Sequence, residues 1–227
     1  MDAPIQSPGS FPFAVIAKWI FIFSIIVGLI LLSVAFLDVT SSSRDKQTKA
    51  TAHARQIHLA LQEFALDHDG KFPAADRISN DAYRQLFSRK FQDERIFYVS
   101  GCAWHQSLPE GITKPDNEVG QPPGYTLGLE RGENHWAYTT DLGVDSMGYL
   151  PLIMDGFSET VGIYAPDAAA KGGIWEGKAI VVRVDGSAKM EKLAPDLRVY
   201  GKNANGTKVD IFSRDYGTNP AKLLNPW

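Results

Sequence analysis

Residues 54–73 read ARQIHLALQEFALDHDGKFP, and the reading of this stretch decides the fold. Ala50, Ala54, Ile57, Leu61, Phe64 and Ala65 recur at intervals of three and four, so one helical face is apolar while Arg55, Gln56, Gln62 and Glu63 fall on others. The pattern predicts an amphipathic helix that lays this stripe on a core. Gly70 suits the left-handed residue that closes such a helix, and Pro73 bars its continuation. Asp67 and Asp69 admit a second reading, the third and fifth positions of a calcium loop with Gly70 as its sixth. In that register the first position is Ala65, which has no side-chain oxygen, and the twelfth is Asp76 in place of glutamate. Helix termination is the better fit, and calcium binding by Asp67 and Asp69 stays open.

Upstream, residues 13–37 form an apolar run with one charge, Lys18, and the nineteen residues Trp19–Leu37 carry none. A helix of about 20 residues spans the hydrocarbon layer of a bilayer, and hydrophobicity on all sides excludes a surface helix of a globular domain. The run predicts a transmembrane helix that contacts membrane lipid. A cleaved signal peptide would want a basic n-region and a shorter apolar core, although Ser33-Val34-Ala35 resembles a cleavage site. Arg44, Lys46, Lys49 and Arg55 follow the run, against Lys18 before it, so the positive-inside rule would place the larger part in the cytoplasm.

The 227 residues with net charge −3 fit one head domain plus such an anchor and supply no basic surplus for a nucleic-acid partner. A single cysteine, Cys102, permits no intrachain disulfide and reads as a small buried apolar residue. Asn80 is placed to cap a helix over 80–91. Strands are predicted at 95–101, 135–140 and 149–156, the last demoted toward a sheet edge by Pro151. Residues 105–134 read as a long loop. In 178–193 a three-residue turn with Gly186 left-handed pairs Val182 with Ala188 and Ile180 with Met190, which keeps one face apolar.

Chemistry is sparse. Walker and dinucleotide glycine patterns are absent, Ser146 misses the nucleophile elbow by one residue, and His53, His58, His68, His105 and His135 form no HExxH. The sequence therefore nominates no catalytic, cofactor-binding or metal residues and no cofactor. Trp104, Trp136 and Trp175 are expected in the core.

An apolar segment leading into an amphipathic helix, then Phe64, Ala65, Asp67, Asp69, Gly70 and Pro73, resembles the type IV pilin and type II secretion pseudopilin superfamily. HWAYTT, LPLIMDGF and AIVVRVDGSAKMEKL are similar to later blocks of its prepilin-like members, so the resemblance covers about residues 13–195. It implies an α+β fold, with a long N-terminal transmembrane-plus-amphipathic helix packed on a small antiparallel sheet. On that reading residues 1–12 are a leader or flank, 13–37 the transmembrane helix, 38–69 its amphipathic continuation, 70–195 the head and 196–227 an extended tail. It also implies a non-enzymatic protein of the cytoplasmic membrane with a periplasmic head, whose partners are other pilin-like subunits or secretion-system components. Prepilins carry a basic leader ending in glycine and a glutamate at the fifth mature position. Cleavage after Gly9 or Ser10 would put Ala14 or Val15 there. The alternative class is an anchored periplasmic enzyme or ligand-binding protein that uses the 101–134 loop.

Overall fold

A computed structural model describes residues 43–88, 91–108, 110 and 114–227. The chain divides into two units, Met1–Asp45 and Lys46–Trp227, and the architecture below is that of the second. Helix α1 occupies residues 43–66. Its Ala50, Ala54, Ile57, Leu61 and Ala65 are all buried in the apolar core that the strands share, while Arg55, Gln56 and Glu63 face solvent. Gly70, at φ +75°, ends it by donating its N–H to the Ala65 carbonyl at 2.9 Å. A side chain there would adopt a strained left-handed conformation and press on Val144.

Helix α2 (Ser79–Arg84) follows, then 3₁₀ turns at Glu94–Phe97 and Ala103–Ser107. The strands are β1 (Trp136–Thr139), β2 (Pro151–Asp155), β3 (Lys178–Arg183), β4 (Ala188–Lys192), β5 (Tyr200–Lys202), β6 (Lys208–Asp210) and β7 (Leu223–Leu224). Five make one antiparallel sheet in the order β4-β3-β2-β1-β7, and β5 with β6 makes a separate ribbon. The β3–β4 hairpin has the predicted register, Val182 opposite Ala188 and Ile180 opposite Met190, with Gly186 at φ +80°. His58 of α1 sits on this turn, its Nε2 3.0 Å from the Val184 carbonyl oxygen.

The expected fold is corrected. Among the described residues no helix is long and apolar enough to cross a membrane, and these residues form an α+β fold built on a five-stranded antiparallel sheet. Helix α1 buries its apolar stripe in the core and exposes its polar positions, so among the described residues it is part of the head. The expected transmembrane segment, the leader and its cleavage positions lie outside the described residues.

Smaller expectations also shift. Pro151 does not mark an edge: β2 lies between β1 and β3, with Pro151 as its first residue and an irregular register before Ile153. Proline is tolerated at such a position because no ladder bond is lost. Residues 95–101 form a 3₁₀ turn and a bend instead of a strand. Helix α2 is shorter than the apolar pattern suggested, ending at Arg84. Asn80 does not cap it; its Nδ2 donates to the Leu129 carbonyl at 2.8 Å. The tail is not simply extended. Leu223 and Leu224 complete the sheet beside β1 and are buried.

Removing side-chain volume from the α1 stripe leaves a cavity that the sheet cannot close. Leu61→Ala, fully buried, is expected to cost about 2–5 kcal/mol. Leu59→Ala, 67% exposed on the same helix, should change stability by no more than about 0.5 kcal/mol. Urea denaturation of both variants measures the difference, and equal losses would mean that α1 packs through another face.

Candidate functional site

Residues 132–136, Gly-Glu-Asn-His-Trp, enter β1 with three consecutive polar side chains buried. A buried polar group must be partnered, and each of these finds its partner on a different part of the chain. Asn134 Nδ2 donates to Ser79 Oγ at 2.9 Å and to Asn80 Oδ1 at 3.1 Å, which fastens α2 to the start of β1. His135 reaches Cys102 and Asp155. Glu133 belongs to a group of carboxylates with Glu94 and Asp116.

The Cys102–His135–Asp155 relay has the arrangement of a nucleophile, a base and an orienting acid. Cys102 Sγ lies 2.6 Å from His135 Nδ1, and His135 Nε2 lies 2.6 Å from Asp155 Oδ1. The second oxygen of Asp155 accepts the Ile180 N–H of β3 at 2.5 Å. Burial alone would lower the imidazole pKa. The electrostatic interaction with Cys102 and the hydrogen bonds to Asp155 and Cys102 outweigh it and push His135 up to about 10. The protonated ring then donates at both nitrogens and neutralises the carboxylate inside the sheet.

This geometry does not by itself make an active site. Cys102 is 6% exposed, and His135 and Asp155 are 1% exposed. The cavities at Thr139–Leu142, beside the start of α1 and beside Trp104 are lined by none of the three. The Cys102 N–H, which could have steadied an oxyanion, already donates to the Val99 carbonyl. Gly156, next to Asp155, accepts the Trp104 indole directly against its Cα, which closes the site from that side. A thiol in such surroundings is structural, because reactive cysteines need both an electropositive setting and access.

Carboxylate oxygens of Glu94, Asp116 and Glu133 lie within 4.8 Å of one another. Glu94 is fully buried; its Oε1 accepts the Asn117 N–H at 2.6 Å and its Oε2 the Leu129 N–H at 3.1 Å. Glu133 Oε2 accepts the Glu130 N–H at 2.6 Å. These bonds fold the long 105–134 segment around two carboxylates. Such oxygens suit a hard divalent cation in kind, but four of them, Asp116 Oδ1 included, already face N–H donors, and a proton answers the remaining repulsion. Burial, then the charge of Glu94, raises Glu133 to about 7, and burial raises Glu94.

Asp67 and Asp69 are exposed at the end of α1, and Asp69 adopts φ +51° in the closing turn. They are not brought together with the carboxylate group. Trp104, Trp136 and Trp175 are buried, as core residues are. The relay was not visible in the sequence, because Cys102 precedes His135 by 33 positions and His135 precedes Asp155 by 20. No local spacing marks such a set; only a lone cysteine in a chain with a distant histidine and aspartate hints at it. No protein-family model, curated protein or solved structure matches this chain.

Two predictions follow from the buried charges. Asp155→Ala strands an imidazolium and a strand N–H, and should cost about 3–5 kcal/mol. Cys102→Ser keeps an acceptor for His135 and should cost only about 1 kcal/mol in the same urea titration. Equal costs would make the thiol, rather than the carboxylate, the anchor of the relay. For Glu133 the folded pKa, about 7, exceeds its ordinary value of 4.5. The folded state therefore binds the extra proton between these values, and stability falls as pH rises through that window. Glu133→Gln should raise the melting temperature at pH 8 and flatten the curve from pH 4.5 to 7. Stabilisation of the parent by millimolar calcium, lost in Glu133→Gln, would instead mean that a cation holds the group.

Proposed function

We propose that this chain is a non-enzymatic, single-pass membrane-tethered protein whose head serves as an interaction module. Its place would be in a pilin-related secretion or pilus-like assembly, or as a lone tether. The observation that carries this reading is the uncharged run Trp19–Leu37, which has the length and composition of a bilayer span. The head supports it by what it offers. The Cys102–His135–Asp155 relay is closed, while Leu59 and Leu66, two helical turns apart on α1, stand 67% and 85% exposed. Apolar side chains aligned on one exposed helix face suit contact with another protein. The resemblance to pseudopilins supports a periplasmic position for the head and places other pilin-like subunits among its partners.

A thiol-dependent enzyme is the second reading, and the Cys102–His135–Asp155 distances favour it. It requires an opening of the head that exposes Cys102.

Membrane fractionation tests the tether. The full-length chain is expected to sediment with membranes and to resist extraction at alkaline pH. In intact spheroplasts, added protease should digest the head. Release into the soluble fraction would overturn the tether, and protection from protease would reverse its orientation.

A further inference from the structure

A cavity of about 640 Å³ lies between the first turns of α1 and the Asp93–Ser100 segment. That volume is in the range of sites for small ligands. Its wall is basic although the chain is acidic overall. Lys46, Lys49, Arg95 and Lys114 face one carboxylate, Asp93. That carboxylate is spent on Arg95, which it holds at 2.7 Å and 2.9 Å through both oxygens. Lys46, Lys49 and Lys114 form no ion pair among the described residues. Cations gathered in a concave wall without counter-charge repel one another, and they lower the free energy of any anion placed between them.

His53 projects from α1 into this wall, and its Nδ1 is buried without a hydrogen-bond partner among the described residues. Burial, then the nearby Lys49 charge, lowers its pKa, against a hydrogen bond to the Tyr98 backbone and the Asp93 charge, which raise it. The cavity thus offers three ammonium groups without an ion pair among the described residues and one guanidinium. A phosphate ester fits this set. It brings full negative charge and several acceptor oxygens, and it has room beside Ile96 and Val99 for an apolar appendage.

We propose that this groove binds the phosphate-bearing headgroup of an anionic phospholipid. The choice of a lipid over a soluble phosphate rests on the tether reading above. Lys46 follows Leu37 by nine residues, a chain contour of at most about 30 Å. On the tether reading Lys46 and Lys49 are juxtamembrane in sequence, and phospholipid headgroups are the anions concentrated at a bilayer surface. Juxtamembrane lysines are drawn to anionic leaflets, and a concave site adds geometry to that attraction.

The test uses the full-length chain in a neutral detergent. Its melting temperature is followed while dihexanoyl phosphatidylglycerol, dihexanoyl phosphatidylcholine or inorganic phosphate is added. Phosphatidylglycerol is expected to raise the melting temperature saturably, with little effect from the other two. Lys46→Gln and Lys49→Gln are substitutions of exposed side chains, so the ligand-free melting temperature should hold. Each should weaken the apparent affinity about fivefold. An equal response to inorganic phosphate would assign the groove to a soluble phosphate compound and overturn the lipid. An equal response to phosphatidylcholine, or none to any of the three, would overturn the anionic site altogether. Failure of the tether is read separately: a chain that stays soluble without detergent can be titrated in the same way.

Discussion

The Asp155 carboxylate, 1% exposed at the end of β2, is the constraint around which the head is arranged. A negative charge inside a sheet is costly unless it is neutralised and its oxygens are occupied. Here one oxygen takes the Ile180 N–H and the other the His135 ring, so a single side chain ties β3 and the entrance of β1 to β2. The histidine passes the constraint on to Cys102, which starts the 3₁₀ turn carrying Trp104. Its neighbours extend the same logic. Asn134 fixes α2, Glu133 fixes the turn at Glu130, and the Trp136 indole donates to the Ile96 carbonyl at 3.3 Å. Four adjacent side chains hold four separate parts of the chain, so the register of β1 is set by polar partners as much as by apolar burial.

That arrangement explains what could be read in the sequence and what could not. The α1 stripe and its stop at Gly70 are local: apolar spacing and a glycine before Pro73 state them directly. The β3–β4 hairpin is local too, because only one turn length keeps Val182, Ile180, Ala188 and Met190 on a common face. The 94–134 region obeys no such period. Its backbone is gathered by Glu94 reaching residues 117 and 129 and by Asn80 reaching 129, and side chains joining distant segments leave no spacing behind. The same holds for Cys102, His135 and Asp155. The position of β2 was misread for a different reason. Proline is excluded from the middle of a ladder but not from its first residue, and sequence does not reveal where a strand's hydrogen bonding begins.

Burial decides what the relay can do. On an open surface, a thiol 2.6 Å from an imidazole that is itself bonded to a carboxylate would be a strong candidate nucleophile. Enclosed by Trp104 and Gly156 and with its own N–H engaged, the same set neutralises a buried charge and stiffens the sheet. Polar satisfaction and catalysis use the same side chains. Access to solvent and donors left over for a reacting group separate the two, and this head provides neither. Its open chemistry lies elsewhere, at the cationic wall beside the start of α1.

That wall also bears on a conflict within the sequence. Arg44, Lys46, Lys49 and Arg55 after the apolar run argue for a cytoplasmic head, whereas the resemblance to pseudopilins argues for a head outside the membrane. The positive-inside rule counts basic residues near the span whatever other role they take in the folded head. Lys46 and Lys49 line a cavity with Lys114, which is 65 residues away from Lys49 in sequence and adds nothing to a flank count. Under the headgroup reading, these lysines are held at the bilayer surface by a ligand that needs them there. The four flank charges still argue for a cytoplasmic head and the resemblance for a head outside, so the groove gives these lysines a second role without deciding their side of the membrane.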